Sequence, residues 1–240
     1  MGEFWIKIKQ YFTEDKRTFA SGTGFKKMFL IFSLFSIFGA YYEQILNFCK
    51  VYVLNGSIFW QRRSGVFYGP FSPVYGLGAV LIIYLLGRKK YSDGKIFCYG
   101  ALLGGALEYS ISYLQEVFTH TVSWDYSHHF LNIQGRTTIP FMLFWGLLSF
   151  ILVKWVYPFL SQMIEAIPNR LGNFFYISLV IFLSFDMLIS WSALIRGTLR
   201  QENHPPISSV GKFYDKTFPD SYLQEKFPNM NFQVQKGIQK

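Results

Sequence analysis

Residues 172–196 read GNFFYISLVIFLSFDMLISWSALIR. The run is long and apolar enough to cross a hydrocarbon core, which takes about 20 residues of helix. Yet it carries Asp186 near its middle and Arg196 at its end. A charge at membrane depth costs roughly 3 kcal/mol unless it is paired, neutralised or hydrated. Residues 28–48, 69–87, 96–118 and 138–158 form comparable apolar windows, and they hold Glu43, Glu108 and Glu116. A β-barrel would show strands of about ten residues with strict alternation, which the sequence lacks. Helices are then the way to satisfy the backbone in lipid. The expected fold is all-α: a polytopic helical membrane protein with about five transmembrane helices and a partly ordered polar C-terminal tail.

Composition agrees. The chain is 51% hydrophobic, 20% aromatic and only 15% charged, too apolar for a soluble domain of 240 residues. Its net charge of +9 fits basic residues flanking apolar windows, such as Lys26, Lys27, Arg88, Lys89, Lys90 and Lys95. Such flanks follow the positive-inside bias and attract anionic lipid, and no groove of interleaved aromatic and basic residues points to nucleic acid. Their distribution slightly favours a cytoplasmic N-terminus, and an odd number of spans then puts the tail outside. The mixed, polar start of the chain predicts no cleavable signal and a retained first anchor. Cys49 and Cys98 stand in no ligand or disulfide spacing and read as small core residues.

Residues 1–24 read as an interfacial amphipathic segment, with Phe4, Trp5, Ile8, Tyr11 and Phe12 among lysines. Residues 25–196 are expected to form the five-helix transmembrane domain, and 197–240 the polar tail. The tail holds too many Phe and Tyr for pure disorder, so a docked helical segment near 212–227 is expected.

Three constellations could carry chemistry. Gly100, Gly104, Glu108 and Ser112 recur every four residues, a small-residue stripe along which another helix can approach closely. Ser36, Ala40, Glu43 and Asn47 make a similar stripe on the first window. Each presents one Glu, either as a buried structural acid or as part of a substrate or ion pathway. The Gly100/Gly104 stripe could equally serve a second copy of the chain. The run from Tyr68 to Gly78, with Pro70 and Pro73, predicts a helix start or a broken, re-entrant backbone, the latter tolerated only against protein or a watery cavity. The link 119–137 gathers His120, Trp124, Asp125, His128, His129 and Arg136. His120, Asp125 and His128 could ligate a metal or act as acid and base, although no HExxH spacing is present. A capping turn, in which Asp125 pairs with Arg136 and Trp124 sits at the interface, explains the same residues. Asp186 and Arg196 lie about 15 Å apart along one helix and cannot pair; Arg196 is expected to snorkel, whereas Asp186 needs a partner. No GxxxxGK[ST], GxSxG or dinucleotide fingerprint occurs, so no cofactor is called for.

The chain resembles the putative ABC-transporter type IV permease family of bacterial multi-pass membrane proteins. The resemblance rests on Gly39 through Glu43, on Gly65 to Gly78 with its Tyr-Gly-Pro-Phe, on Leu107-Glu108-Tyr109 with Ser112, Tyr113 and Glu116, and on Trp124-Asp125-Tyr126-Ser127 through Asn132 and Gly135-Arg136. Phe218-Pro219-Asp220 and Phe227-Pro228-Asn229-Met230 resemble its tail. Where the family often has Gly-Trp before the Glu, this chain has Gly39-Ala40-Tyr41-Tyr42.

The resemblance implies a permease-like or substrate-handling subunit in the bacterial cell membrane, in contact with the lipid bilayer and with ATP hydrolysis on a separate subunit. In that reading Glu43, Glu108, Tyr68, Tyr75 and Asp186 belong to the substrate pathway, and Trp124, Asp125 and Arg136 close a loop over it. The alternatives are an interfacial enzyme built on the His/Asp loop 120–136 and a membrane scaffold or accessory protein.

Overall fold

The computed structural model describes residues 6, 18–228 and 230–232. A helical unit falls on each apolar window. Helix α1 spans Phe25–Asn55 and ends at Gly56, whose φ of 64° lets the chain leave the helix. Helix α2 spans Pro73–Ile82, with proline in its first turn, and continues as a π-helical turn over Ile83–Gly87. Helix α3 spans Asp93–Thr119. Helix α4, Ile139–Ile151, is capped by the Thr138 hydroxyl, which accepts from the Phe141 amide. It passes through a π turn, Leu152–Val156, into α5, Tyr157–Glu165. Pro158 explains the second π turn, because it has no N–H to return to the Lys154 carbonyl. Helix α6 spans Asn169–Gln201.

Three of these units are long and apolar enough to cross a membrane: α1, the run Ile139–Glu165, and α6. Their outward faces stay apolar, with Phe38, Leu147, Phe159, Ile181 and Phe185 each at least 47% exposed, which is the surface that lipid covers. Helix α2 with its π turn is a shorter apolar piece, and α3 lies outside the group that meets both criteria. The architecture is therefore all-α and of membrane type.

The helices pair through small residues. Along α3, a Cβ on Gly100 would lie 2.3 Å from Ser149 Cβ, and one on Gly104 2.3 Å from Trp145 Cβ. The stripe expected to serve a second copy is thus filled by α4 of the same chain, and the oligomer expectation for it is corrected: no room remains against these glycines. At the N-terminal end a core of Phe19, Ile31, Ile83, Leu86, Ile96 and Leu152 surrounds the two π turns, which touch each other. Lys27, 1% exposed, is held there by Glu165 and Ser161. Most of the interfacial segment expected over 1–24 lies outside the described residues.

Beyond α6 the chain forms α7, Ser209–Thr217, and α8, Asp220–Lys226. Phe218, Leu223 and Phe227 pack with Ala193 and Leu194 of α6 around Phe67, whose ring centroid is 4.9 Å from that of Phe218. Small strands complete this end: β1, Thr121–Val122, and, in a hairpin, β2, Asn132–Ile133, with β3, Thr137–Thr138. Strand β4, Asn231–Phe232, returns from the tail to pair with β1.

Arg196 does not snorkel. It donates through Nε and Nη2 to both Asp215 oxygens at 2.8 Å, and through Nη1 to the His204 carbonyl at 3.0 Å. Arg200 adds Asp215 at 2.7 Å and Asp220 at 2.7 Å. The tail supplies the counter-charges that a ten-residue window around Arg196 lacks.

Two outcomes follow from this packing. Gly104→Ala should cost about 1–3 kcal/mol through overpacking against Trp145, read as a lower unfolding midpoint in detergent; Gly94→Ala, with nothing within 4 Å of its added Cβ, should leave the midpoint unchanged. The Arg196 hydrogen bond, and with it Arg200, holds the Asp215 carboxyl below its usual range. A depressed carboxylate contributes stability above its unfolded pKa of about 3.9 and loses it as pH falls through the folded value. Hydrogen-exchange protection of residues 209–227 should therefore be flat from neutral pH down to about pH 4 and fall below it. In Asp215→Asn it should be weak at neutral pH and lack that acid step.

Candidate functional site

The site begins where α1 meets α2. A Cβ on Gly39 would lie 2.2 Å from the Tyr75 ring, and one on Gly76 2.3 Å from the Phe32 carbonyl and the Ser36 hydroxyl. Without side chains at these points the two backbones approach closely. The Tyr75 ring therefore rests on α1 one turn below Glu43, and its hydroxyl faces the Glu43 carboxyl. Ser36, Gly39 and Glu43 thus act together: two set the distance and the third presents the acid.

Glu108 approaches from α3. It is buried and accepts from the Thr137 hydroxyl at 2.6 Å and the Tyr126 hydroxyl at 3.1 Å. Tyr126 also lies within electrostatic reach of Glu43 and Tyr75, while its hydroxyl donates to Glu108. Burial, then the adjacent Glu108, push the Tyr126 hydroxyl well above the ordinary tyrosine range. It is a neutral donor at any physiological pH. Aromatic rings wall the cluster: Tyr42 lies 6.3 Å and Trp145 6.1 Å from Tyr75, and Phe141 is 4.8 Å from Tyr126, centroid to centroid. Arg63 stands near Glu43 and donates to Asn47 at 2.7 Å. Among the described residues, Asn47 Nδ2 and Arg63 Nε are buried with no hydrogen-bond partner. Gln44, one residue from Glu43, accepts from the Trp60 indole at 2.9 Å.

The arrangement holds two carboxyl groups among neutral hydroxyls and rings, with one guanidinium at its edge. Chemically it can bind a cation or a proton, or accept hydrogen bonds from a polar solute.

Asp186 and Tyr68 belong elsewhere. Asp186, 1% exposed, accepts the Tyr68 amide through both oxygens at 3.2 Å and the Ser190 hydroxyl at 3.1 Å, and Ser190 accepts the Phe67 amide at 2.8 Å. The carbonyls on the other side of the same turn go to Arg62, which reaches Val66, Phe67 and Gly69 at 2.6–3.0 Å. Ser64 accepts the Val66 and Phe71 amides and lies 2.9 Å from the Phe71 carbonyl. The segment 64–71 is non-helical, and these side chains take the hydrogen bonds a helix would have made. Asp186 thus has its partner in backbone, and the Tyr68 ring makes no hydrogen bond or ring contact with Glu43 or Glu108. Arg62 and Ser64 carry no sequence signal beyond an Arg-Arg-Ser run in a half-apolar link, and Ser190 carries none.

The loop 120–136 is ordered by its own polar groups. Trp124 donates to the Arg136 carbonyl at 2.9 Å, and Asn132 receives the Gly135 amide at 3.0 Å. Arg136 pairs with Glu116, donates to Ser112 at 3.2 Å and covers the Tyr113 ring at 5.3 Å. Asp125 accepts the Ser127 amide at 2.9 Å, and the Arg136–Glu116 pair ties the loop to α3. His120 ends α3 in a left-handed conformation, 3.8 Å from Glu202, and His128 is exposed. Among the described residues no three His, Cys, Asp or Glu side chains converge as a metal site would require.

No curated protein and no solved structure matches the chain. Residues 30–191 match the model of a family described as Putative ABC-transporter type IV. That span is more than half of the chain and contains Glu43, Tyr75, Glu108, Tyr126 and the Asp186 clamp, so the protein belongs to the Putative ABC-transporter type IV family.

Proposed function

We propose that the chain is a permease-like, substrate-handling subunit of a bacterial transporter, crossing the cell membrane with five helices and relying on ATP hydrolysis by a separate subunit. The observation that carries this reading is that Glu43 of α1 faces the Tyr75 hydroxyl and Glu108 of α3 accepts from the Tyr126 hydroxyl, with the two tyrosines in electrostatic reach of each other. Two acids on separate helices, one of them buried and joined only to neutral hydroxyls, are costly in lipid unless they serve a solute or ion. Tyr126 sits on a loop, so movement of residues 120–136 would take its hydroxyl from Glu108 and change access to that acid. Trp124 and Arg136 would hold that loop closed, the first through the Arg136 carbonyl and the second through Glu116. Family membership agrees with a transporter-related role.

The test compares uptake of a panel of solutes by cells lacking the chromosomal gene and complemented with wild type, Glu43→Gln or Glu108→Gln. For the solutes that wild type restores, each variant should lower uptake about tenfold, the effect of losing roughly 1.4 kcal/mol, at equal protein level in the membrane. Unchanged uptake in both variants would refute the pathway assignment. Tyr126→Phe, which keeps the ring but removes the donor to Glu108, should give an intermediate loss.

A further inference from the structure

We infer that α7 lies in the membrane interface, inserting Ile207, Val210 and Phe213 among lipid acyl chains while Lys212 and Lys216 meet anionic headgroups. The inference rests on the membrane reading of α6.

At about 3.6 residues per turn, α7 has one face committed to protein. Tyr214 and the following Phe218 pack in the cluster around Phe67, and Asp215 is held by Arg196 and Arg200. The other face is largely exposed, with one side of the Phe213 ring against Tyr214 and Phe218. Val210 is 63% and Phe213 57% exposed, and Ile207, just before the helix, is fully exposed at 102%. Lys212 and Lys216, one turn apart and both exposed, flank the apolar pair and enter no ion pair among the described residues.

Two observations choose lipid as the occupant. The first is continuity. Leu188, Trp191, Ile195 and Leu199 form an exposed apolar stripe up α6, and the chain turns from Gln201 through residues 202–206 to Ile207. Asp215 is fixed to Arg196, five residues or about 8 Å before the end of α6, so α7 cannot stand away from the surface at which that stripe emerges. The second is charge. An apolar edge beside two unpaired lysines is the pattern of a helix lying in the interface, where the stems run along acyl chains and the ammonium groups reach phosphates.

The experiment uses the full chain with Cys49→Ser and Cys98→Ser, reconstituted in vesicles of phosphatidylcholine and phosphatidylglycerol. A nitroxide is attached in turn to Val210→Cys, Phe213→Cys, Lys212→Cys and Phe185→Cys, and its collisions with oxygen and with a water-soluble nickel chelate are measured. Labels at 210 and 213 should favour oxygen and lie about 5–10 Å below the headgroup boundary, whereas the label at 212 should favour the chelate. Chelate-accessible labels at 210 and 213 overturn the inference. So does shielding from both reagents, the sign of a protein partner or a second copy. The label at Phe185, exposed in mid-α6, separates the two readings: lipid there with water at 210 defeats only the interfacial helix, and water there defeats the span itself. In vesicles of phosphatidylcholine alone the labels at 210 and 213 should move toward water; an unchanged depth overturns the pairing of Lys212 and Lys216 with anionic headgroups.

Discussion

The hydrogen bonds from the Phe67 and Tyr68 amides to Ser190 and Asp186 hold a stretch of backbone that neither helix nor sheet supports. Thr198, twelve residues above Asp186 on α6, donates to the Thr119 carbonyl at the end of α3. The turn is therefore anchored about 18 Å down the bundle from the level where α3 ends. Irregular backbone so far in is tolerated only when protein satisfies it, and Arg62, Ser64, Ser190 and Asp186 do so group by group. The same turn sets the start of α2: the Ser72 amide returns to the Ser36 carbonyl at 2.8 Å, which leaves Tyr75 one helical turn further on, above Gly39 and against Glu43. Asp186 is thus an anchor of the turn that positions Tyr75 beside Glu43.

The tail packs on the same turn. Phe67 packs against Phe218, Leu223 and Phe227, while Arg196 and Arg200 gather Asp215 and Asp220. Burial of apolar rings and neutralisation of two guanidinium groups occur at one place. Neither would be favourable alone, since Arg196 without Asp215 would be a buried unpaired charge and Phe67 without the tail would face solvent or lipid.

Much of the helical layout could be read from hydropathy, because a run such as 172–196 has few other ways to satisfy its backbone. The edges could not: α2 begins at Pro73 rather than at residue 69, since Gly69 with its φ of 76° and the side-chain bonds just described compete successfully with the helix. The acids of the site were visible as i, i+4 stripes, and so was the need of Asp186 for a partner. The partners were not. Tyr126, Thr137 and Asp215 lie 18, 29 and 19 residues from the groups they bind, and no periodicity encodes a contact made across a loop. The Gly100/Gly104 stripe announced a close helix without saying whose, and Trp145, Gly146 and Ser149 of the same chain supply it. Lys27 looked like one more basic flank; it is buried, and Glu165 on a distant helix pairs with it from a more exposed position.

The pairing of β4 with β1 bears on the order of synthesis. Strand β1 precedes the loop that carries Tyr126, and its partner at Asn231–Phe232 is made more than a hundred residues later. Phe67 waits equally for Phe218 and Phe227. Until residues 218–232 are made, the turn at 64–71 and strand β1 lack these contacts. A chain ending at Gln201 would hold every candidate span but lack the tail contacts of Phe67 and of β1.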